Sequence, residues 1–489
     1  MRLFGLEIGR AKKNSDARKR SFAAAKVSNM VRDFTTSLEN INEDILGGLQ
    51  NLRARTRDRA KNSSWFRRYL ETSQRNIIGP NGIRLNVRSK NPDGKMDATA
   101  NSKLEAGWKD WGRAENCTSS GGLTWHDIQL FAVRSMKVDG EFFFRKVRGN
   151  VNPYGFALEP LDSALCPVQY SIDKGATKVV QGIEFDSFMR PVAYYFHRNV
   201  SSWHTNSQPP IRIPANEIIH GFVTEGAGQV RGFPDACGAL LSLHMLDRVS
   251  EAEAIAVRLS ACKMGFYEQD NGANAQTLAD EASADGSELV SEMEPGINQI
   301  LPKGLKFNGF DPKHPTANYA AFVKTQLREV AAGLRLSYND FANDLEGVNF
   351  SSIRGGVLAE RDSWMVQQQW YIDHLCRPVY GEWLKMFLLS GVSDLPMTKY
   401  DKFHADNWLP RRWQWVDPLK DAKANQLMRE MGWKSDSQIV GEHGNDRDEI
   451  LQQIAADEQE EVEMGVSLGV SPPIAPDDSV DNPPQNEEQ

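Results

Sequence analysis

Two long helix-forming stretches with a polar insertion between them constrain this chain more than any other feature. Residues 235–262 (DACGALLSLHMLDRVSEAEAIAVRLSAC) place Leu240, Leu243, Leu246, Val249 and Ala256 on one side of a helix, with Asp247, Arg248, Glu251 and Arg258 elsewhere. The many Ala, Gly and Ser residues let neighbouring helices approach closely. A second helix is expected after Thr316 as its cap, with Tyr319, Phe322, Val323, Leu327, Val330, Ala331 and Leu334 recurring at three and four. Between them, residues 270–312 are polar and punctuated by Gly and Pro, with one apolar patch, Ile297–Leu305. Such a layout is either a helical hairpin within an ordinary core or a stalk that carries a small tip domain.

The part upstream has a different texture. Trp65–Ile78 has the period of an amphipathic helix, and Gly79-Pro80-Asn81-Gly82 stops it. Ile83–Arg88 alternates as a half-buried strand does. Helices are expected over Ala98–Trp111 and from Thr124, a cap ahead of Leu130, Val133 and Met136. Strand-like runs follow at Glu141–Val147, Gly155–Leu161, Val179–Phe185, Pro191–His197 and Glu217–Phe222. The class is therefore α+β and helix-rich, without regular βαβ alternation. Downstream, a long helix begins near Ser352, and Pro378 predicts a kink or restart near Arg377. Trp408, Trp413, Trp415 and Trp433 interleave with Arg411 and Arg412, so they either stack on nucleic bases or anchor a small core or subunit contact. Residues 446–464 suit an acidic helix, and the Pro- and Asp-rich run beyond Gly465 is disordered by composition.

Charge is unevenly spread. The net charge of −8 combines about +5 over residues 1–20, about +9 over residues 51–90 and about −12 over residues 446–489. Arg53, Arg55, Arg57 and Arg59 are read as a helix face or as structural ion pairs, with direct nucleic-acid contact as the second reading. With 489 residues, 40% of them hydrophobic and 25% charged, neither a fibrous repeat nor a wholly disordered chain is credible. No apolar run approaches the roughly 18–20 residues of a membrane span. The broken apolar start (MRLFGLEIGRAKK) is no secretory signal. Cys117, Cys166, Cys237, Cys262 and Cys376 have neither disulfide nor zinc spacing, so a soluble, intracellular chain is expected. His197, His204 and His220 lack metal-ligand spacing. Phosphate-loop, dinucleotide, zincin and nucleophile-elbow motifs are absent from the sequence. The enzyme class left open is a metal-dependent nucleic-acid-processing enzyme, a nuclease with unrecognised carboxylates.

Seven segments in one order carry a family resemblance: an Arg-rich helix running into NIIGPNGIRL, then GWKDWGRAENCTSSGGLTWHDIQLFAVRSMKVDGEFFF, LEPLDSALCP, QGIEFDSFMRPVAYYF, IPANEIIHGFVTEGAGQVRGFP, NYAAFVKTQLREVAAGLRLSYNDFANDLEGVNFSSIRGG and WQWVDPLKDAKA. Over roughly residues 30–465 the chain resembles the lambda-family portal proteins of tailed bacteriophages. The resemblance implies a portal-type fold assembled as a ring of about twelve copies, the head-tail connector at one capsid vertex. Double-stranded DNA would pass through it, packaged by the terminase large subunit and later ejected through a head-tail adaptor protein. The major capsid protein and scaffold would be its other partners. The virion would be its location after assembly in the host cytoplasm, with no enzyme activity, cofactor, metal or membrane implied. Its parts would be a flexible basic arm (1–25), an α+β wing (26–234), a stem helix (235–262), a clip (263–312) and a returning stem helix (313–336). A channel loop (337–352), a wing helix (353–400), crown helices (401–464) and a disordered acidic tail (465–489) would follow. Asn339, Asp340, Asn343, Asp344 and Asn349 are the candidate channel-loop residues, and Lys324 and Arg328 the candidate channel cations, unless these two pair with Glu251, Glu253 or Glu329 of a neighbour.

Overall fold

A computed structural model describes residues 2–3, 6–7, 40–174, 177–198, 209–261, 265–269, 305–309, 318–344, 346, 350–413, 418–443 and 445–464. Most of the basic arm, most of the 263–312 insertion, Thr316, Asn349, Trp415 and the tail after Met464 lie outside these residues.

Helix α1 (Ile41–Asn62) starts where the Asn40 side chain accepts from the Asn42 amide, and its buried face is Ile45, Leu49, Arg53, Thr56 and Ala60. Helix α2 (Ser64–Ile77) buries Phe66, Tyr69, Leu70 and Ile77. Strand β1 (Arg84–Val87) follows, then α3 (Ala98–Trp111) and α4 (Trp125–Asp139). The start of α4 is a capping box, with Thr124 and Asp127 exchanging side-chain and backbone bonds. It ends at Gly140, whose φ of 85° and contact with the Phe233 backbone leave no room for a side chain.

Strand β2 (Glu141–Arg148) begins with Glu141, Phe142, Phe143 and Phe144 all buried, because both faces of its sheet are covered. It pairs antiparallel with β3 (Phe156–Leu161) on one side and, on the other, with β9. Between β3 and β9 (Ile218–Phe222) lies an antiparallel meander of β4 (Ile172–Lys174), β5 (Thr177–Val180), β6 (Ile183–Phe185), β7 (Pro191–Phe196) and β8 (Ile211–Pro214). The run expected as one strand over Val179–Phe185 is thus two. Gln181 and Gly182 both take positive φ, the geometry of a two-residue hairpin turn.

Helix α5 (Leu240–Ala261) and helix α6 (Tyr319–Gly333) form an antiparallel hairpin. The Ser242 hydroxyl donates to Glu329 near the base, and Tyr319 reaches Ser250 further out. Strands β10 (Gly265–Gln269) and β11 (Leu305–Gly309) pair antiparallel beyond α5 and before α6, so the two arms of the insertion also run side by side. The short helix α7 (Tyr338–Ala342) leads to α8 (Phe350–Tyr371), which starts two residues before Ser352. A π-helical turn, Ile372–Cys376, relaxes the chain ahead of Pro378 and passes into α9 (Arg377–Leu389), meeting the expected restart. Strand β12 (Asp406–Leu409) returns to pair with β1, and α10 (Pro418–Glu430), α11 (Asp436–Gly441) and α12 (Arg447–Met464) close the described chain.

The core is aromatic. Trp108 is ringed by Trp111, Trp125, Tyr380, Trp383 and Trp408, with centroids 4.8–5.8 Å away. Trp408 therefore belongs to the core, whereas Trp433 is 73% exposed.

Candidate functional site

The segment after the hairpin carries the candidate channel residues, and it is more ordered than a loop. Ser337 caps α7, accepting from the Asp340 amide at 3.3 Å while its hydroxyl donates to Glu360 of α8 at 2.6 Å. Asn343 ends α7 with φ of 53°, a left-handed conformation that Asn tolerates better than most residues. Phe341 is buried against Trp65 of α2, ring centroids 5.5 Å apart, which is the packing role its apolar side chain suggests.

The stretch read as a channel loop is helical over Tyr338–Ala342, and its acids Asp340 and Asp344 are paired. No Lys or Arg stands between Arg335 and Arg354 in sequence, but other elements bring cations to it. Arg75 of α2 donates to Asp340 at 3.1 Å, and Arg68 donates to the Asp340 carbonyl at the same distance. Lys324 of α6 lies 2.8 Å from Asp344, which also accepts from the Tyr338 hydroxyl at 2.6 Å. The hydrogen bond from Lys324, and then that from Tyr338, hold the Asp344 carboxyl well below the usual carboxylate range. Burial, and then the bond to Asp344, push the Tyr338 phenol up to about 12. Arg328 lies over the Tyr338 ring, 5.3 Å from its centroid. Lys324 and Arg328 thus meet Asp344 and Tyr338 of their own chain. Sequence reading had no signal for Tyr338, Arg68 or Arg75, because these contacts join residues far apart along the chain. Asn339 lies within α7, and Asn349 lies outside the described residues.

Of the arginines along α1, Arg53, Arg57 and Arg59 make structural ion pairs. Arg53 and Arg231 both converge on Glu141, which has no exposed surface, and Arg231 Nε lies 3.0 Å from each carboxylate oxygen. The Gly232 amide donates to Glu141 at 3.0 Å, and His220 Nε2 stands 3.1 Å away. Burial alone would raise the Glu141 carboxyl, but Arg231, Arg53 and His220 outweigh it and hold it well below the ordinary range. Arg57 pairs with Asp139 and Asp162 at 2.6 Å each, and Arg59 pairs with Asp58 and with Asp247 of α5. These pairs tie α1 to the β2 sheet and to the base of the hairpin.

Among the described residues no group of three or more His, Cys, Asp or Glu side chains is arranged to hold a metal ion. Nor, among them, is any helix long and apolar enough to cross a membrane. On the hairpin, Leu241 is 69% and Met245 55% exposed, and Ile255 and Phe322 are also open to solvent. Exposed apolar side chains gathered on one element mark it as a candidate contact surface.

The family model described as "Phage portal protein, lambda family" matches residues 28–368. The probable portal protein of Halomonas phage phiHAP-1 is 33% identical over 425 residues, which cover 85% of this chain and 82% of that one. The portal protein of Escherichia phage N15 is 22% identical over 276 residues, 51% of this chain and 52% of its own. Among solved structures, a chain from the neck of an empty GTA particle, computed with C6 symmetry, matches 80% of this chain and 93% of its own, with TM-score 0.43 and 12% identity. The chain belongs to the lambda family of phage portal proteins. Its function is that of a portal, the channel at a capsid vertex, with the part in DNA packaging and ejection that goes with the family. The family is a structural class.

Proposed function

We propose that about twelve copies close into a ring, with α5 and α6 as its stem, the 263–312 insertion as the clip, residues 26–234 and α8 as the wing and the helices after residue 400 as the crown. Double-stranded DNA passes along the ring axis, driven in by the terminase large subunit at the clip and released later through a head-tail adaptor. The major capsid protein and scaffold surround the wing, and assembly takes place in the host cytoplasm. The observation that carries this reading is the hairpin, tightly packed inside and apolar outside. The Cβ position of Gly333 lies only 2.9 Å from the Ala239 Cβ, while Leu241, Met245, Ile255 and Phe322 stay uncovered among the described residues. Neighbouring subunits supply the missing cover.

The channel surface follows from the pairs at α7. A conduit must let phosphates slide, and every unpaired cation that grips a phosphate releases counterions and slows it. Pairing Lys324 with Asp344 and Arg75 with Asp340 removes such grips. Asp340→Lys together with Asp344→Lys adds cations and frees those already present. In a packaging assay with purified motor the double variant forms rings but packages slowly at low salt and recovers as salt rises. Unimpaired packaging at low salt would place this segment away from DNA.

A further inference from the structure

A groove of about 850 Å³ lies between α8, the Arg412–Trp413 segment and the Trp433–Glu442 stretch that contains α11. Its apolar lining is Leu358, Met365, Trp413 and Trp433, of which Trp433 is the most open to solvent. Arg361 lies over the Trp413 ring, 5.7 Å from its centroid, and Arg412 donates to Gln368 at 2.9 Å. Two carboxylates also line the groove: Glu442, bound to Lys434 at 2.7 Å, and Asp362. An exposed indole, Trp433, and a half-buried one, Trp413, beside guanidiniums in an open groove make a surface that takes an extended proline-rich strand. Such a strand is already stiff, loses little entropy on docking, and lays its rings on aromatic faces.

We propose that the occupant is the chain's own C-terminal segment, residues 472–484 (PPIAPDDSVDNPP), with prolines against Trp433 and Trp413 and acids toward Arg412 and Arg361. The composition suits it. Those residues hold Pro472, Pro473, Pro476, Pro483 and Pro484 with Asp477, Asp478 and Asp481, and no Lys or Arg follows Arg447. The reach suits it as well. Helix α12 starts beside α11, where Arg447 lies 3.9 Å from Asp436. Its 18 residues carry the chain about 27 Å away. From Met464 to Ile474 an extended chain covers up to about 33 Å, enough to fold back to the groove. A nucleic acid suits it less, because a phosphate at every nucleotide would have to pass Asp362 and Glu442. The tail can set its three aspartates at the arginines and its prolines elsewhere. The inference does not depend on ring formation.

The test uses the full chain with a photoreactive benzoylphenylalanine in place of Ile474. Irradiation should give a crosslinked product that still runs at the mass of one chain, with crosslinks mapping to residues 358–365 or 433–442. Trp433→Ala should cut the yield at least about fivefold, as removal of an exposed aromatic anchor does, with the thermal unfolding curve unchanged. Crosslinks elsewhere in the chain, a product of two-chain mass, or a yield indifferent to Trp433→Ala would each overturn the proposal. Replacing Pro472, Pro473 and Pro476 by Gly gives a second reading. Hydrogen exchange over residues 433–442 should quicken, and unchanged exchange would count against the tail. Protection of the same residues that arises only when duplex DNA is added would assign the groove to nucleic acid instead.

Discussion

Glu141 shows how much a single side chain decides in this protein. It sits at the first position of β2 with no exposed surface, yet it is charged, because Arg53, Arg231, His220 and the Gly232 amide all converge on it. Removing the charge leaves two buried guanidiniums without their partner, so Glu141→Gln should cost about 3–5 kcal/mol. Denaturant unfolding at neutral pH measures this directly. A carboxyl held below its unfolded value contributes stability that is present above the unfolded pKa of about 4.3 and is lost as pH falls through the folded one. Stability of the unaltered chain should therefore drop below about pH 4, and Glu141→Gln should flatten that drop. The sequence marks Arg53 and Arg57 as charged residues on a helix face with an ion-pairing reading. Their partners Asp139, Glu141 and Asp162 are about a hundred residues away or nearly so, and only the folded β2–β3 sheet brings them near. The same holds at the candidate channel residues. Asp340 and Asp344 are legible as acids in a polar stretch, but their cations come from α2 and α6, so the sequence suggested a free charge where the fold makes a pair.

The elements most readable in advance are those whose signal is local. The capping box at Thr124 and the alternating run at Ile83–Arg88 depend on residues a few positions apart, and both elements form where expected. The α5–α6 hairpin is legible for the same reason, through its three-and-four spacing. Its closeness is not, since that depends on which small residue meets which. Gly333 faces Ala239, and a Cβ there would stand 2.9 Å from the Ala239 Cβ and 3.2 Å from its Cα. Backbone cannot yield as a flexible side chain does, so Gly333→Val should destabilise by about 1–3 kcal/mol through overpacking. Gly355 in α8 has nothing within 4 Å of its Cβ position. Gly355→Ala should therefore leave stability unchanged or raise it by up to about 1 kcal/mol, since Gly within a helix is disfavoured relative to Ala. Thermal unfolding of the two variants side by side gives the comparison. Equal effects would mean that the hairpin does not close at Gly333.

At the scale of the whole molecule, what one chain leaves uncovered matters more than what it buries. The apolar flank of the hairpin has no cover among the described residues, and in the proposed ring closed rotational symmetry would let every copy cover its neighbour with one repeated contact. The seat proposed for the tail is a groove of its own chain, away from the hairpin flank, so deleting residues after Gly465 should leave assembly intact. Loss of assembled particles on that truncation would give the tail a structural role. Family membership was legible in the sequence from the order of its seven segments, whereas the ring is a property of many chains that no single fold displays. The most direct measurement is therefore the mass and shape of the purified protein, by mass photometry and negative-stain imaging at micromolar concentration and physiological salt. Rings with a central hole, each of about twelve copies of the 54.9 kDa chain, are the expected result, and a ring one subunit larger or smaller is compatible with it. A sharp peak of single 54.9 kDa chains under those conditions would contradict the portal assembly.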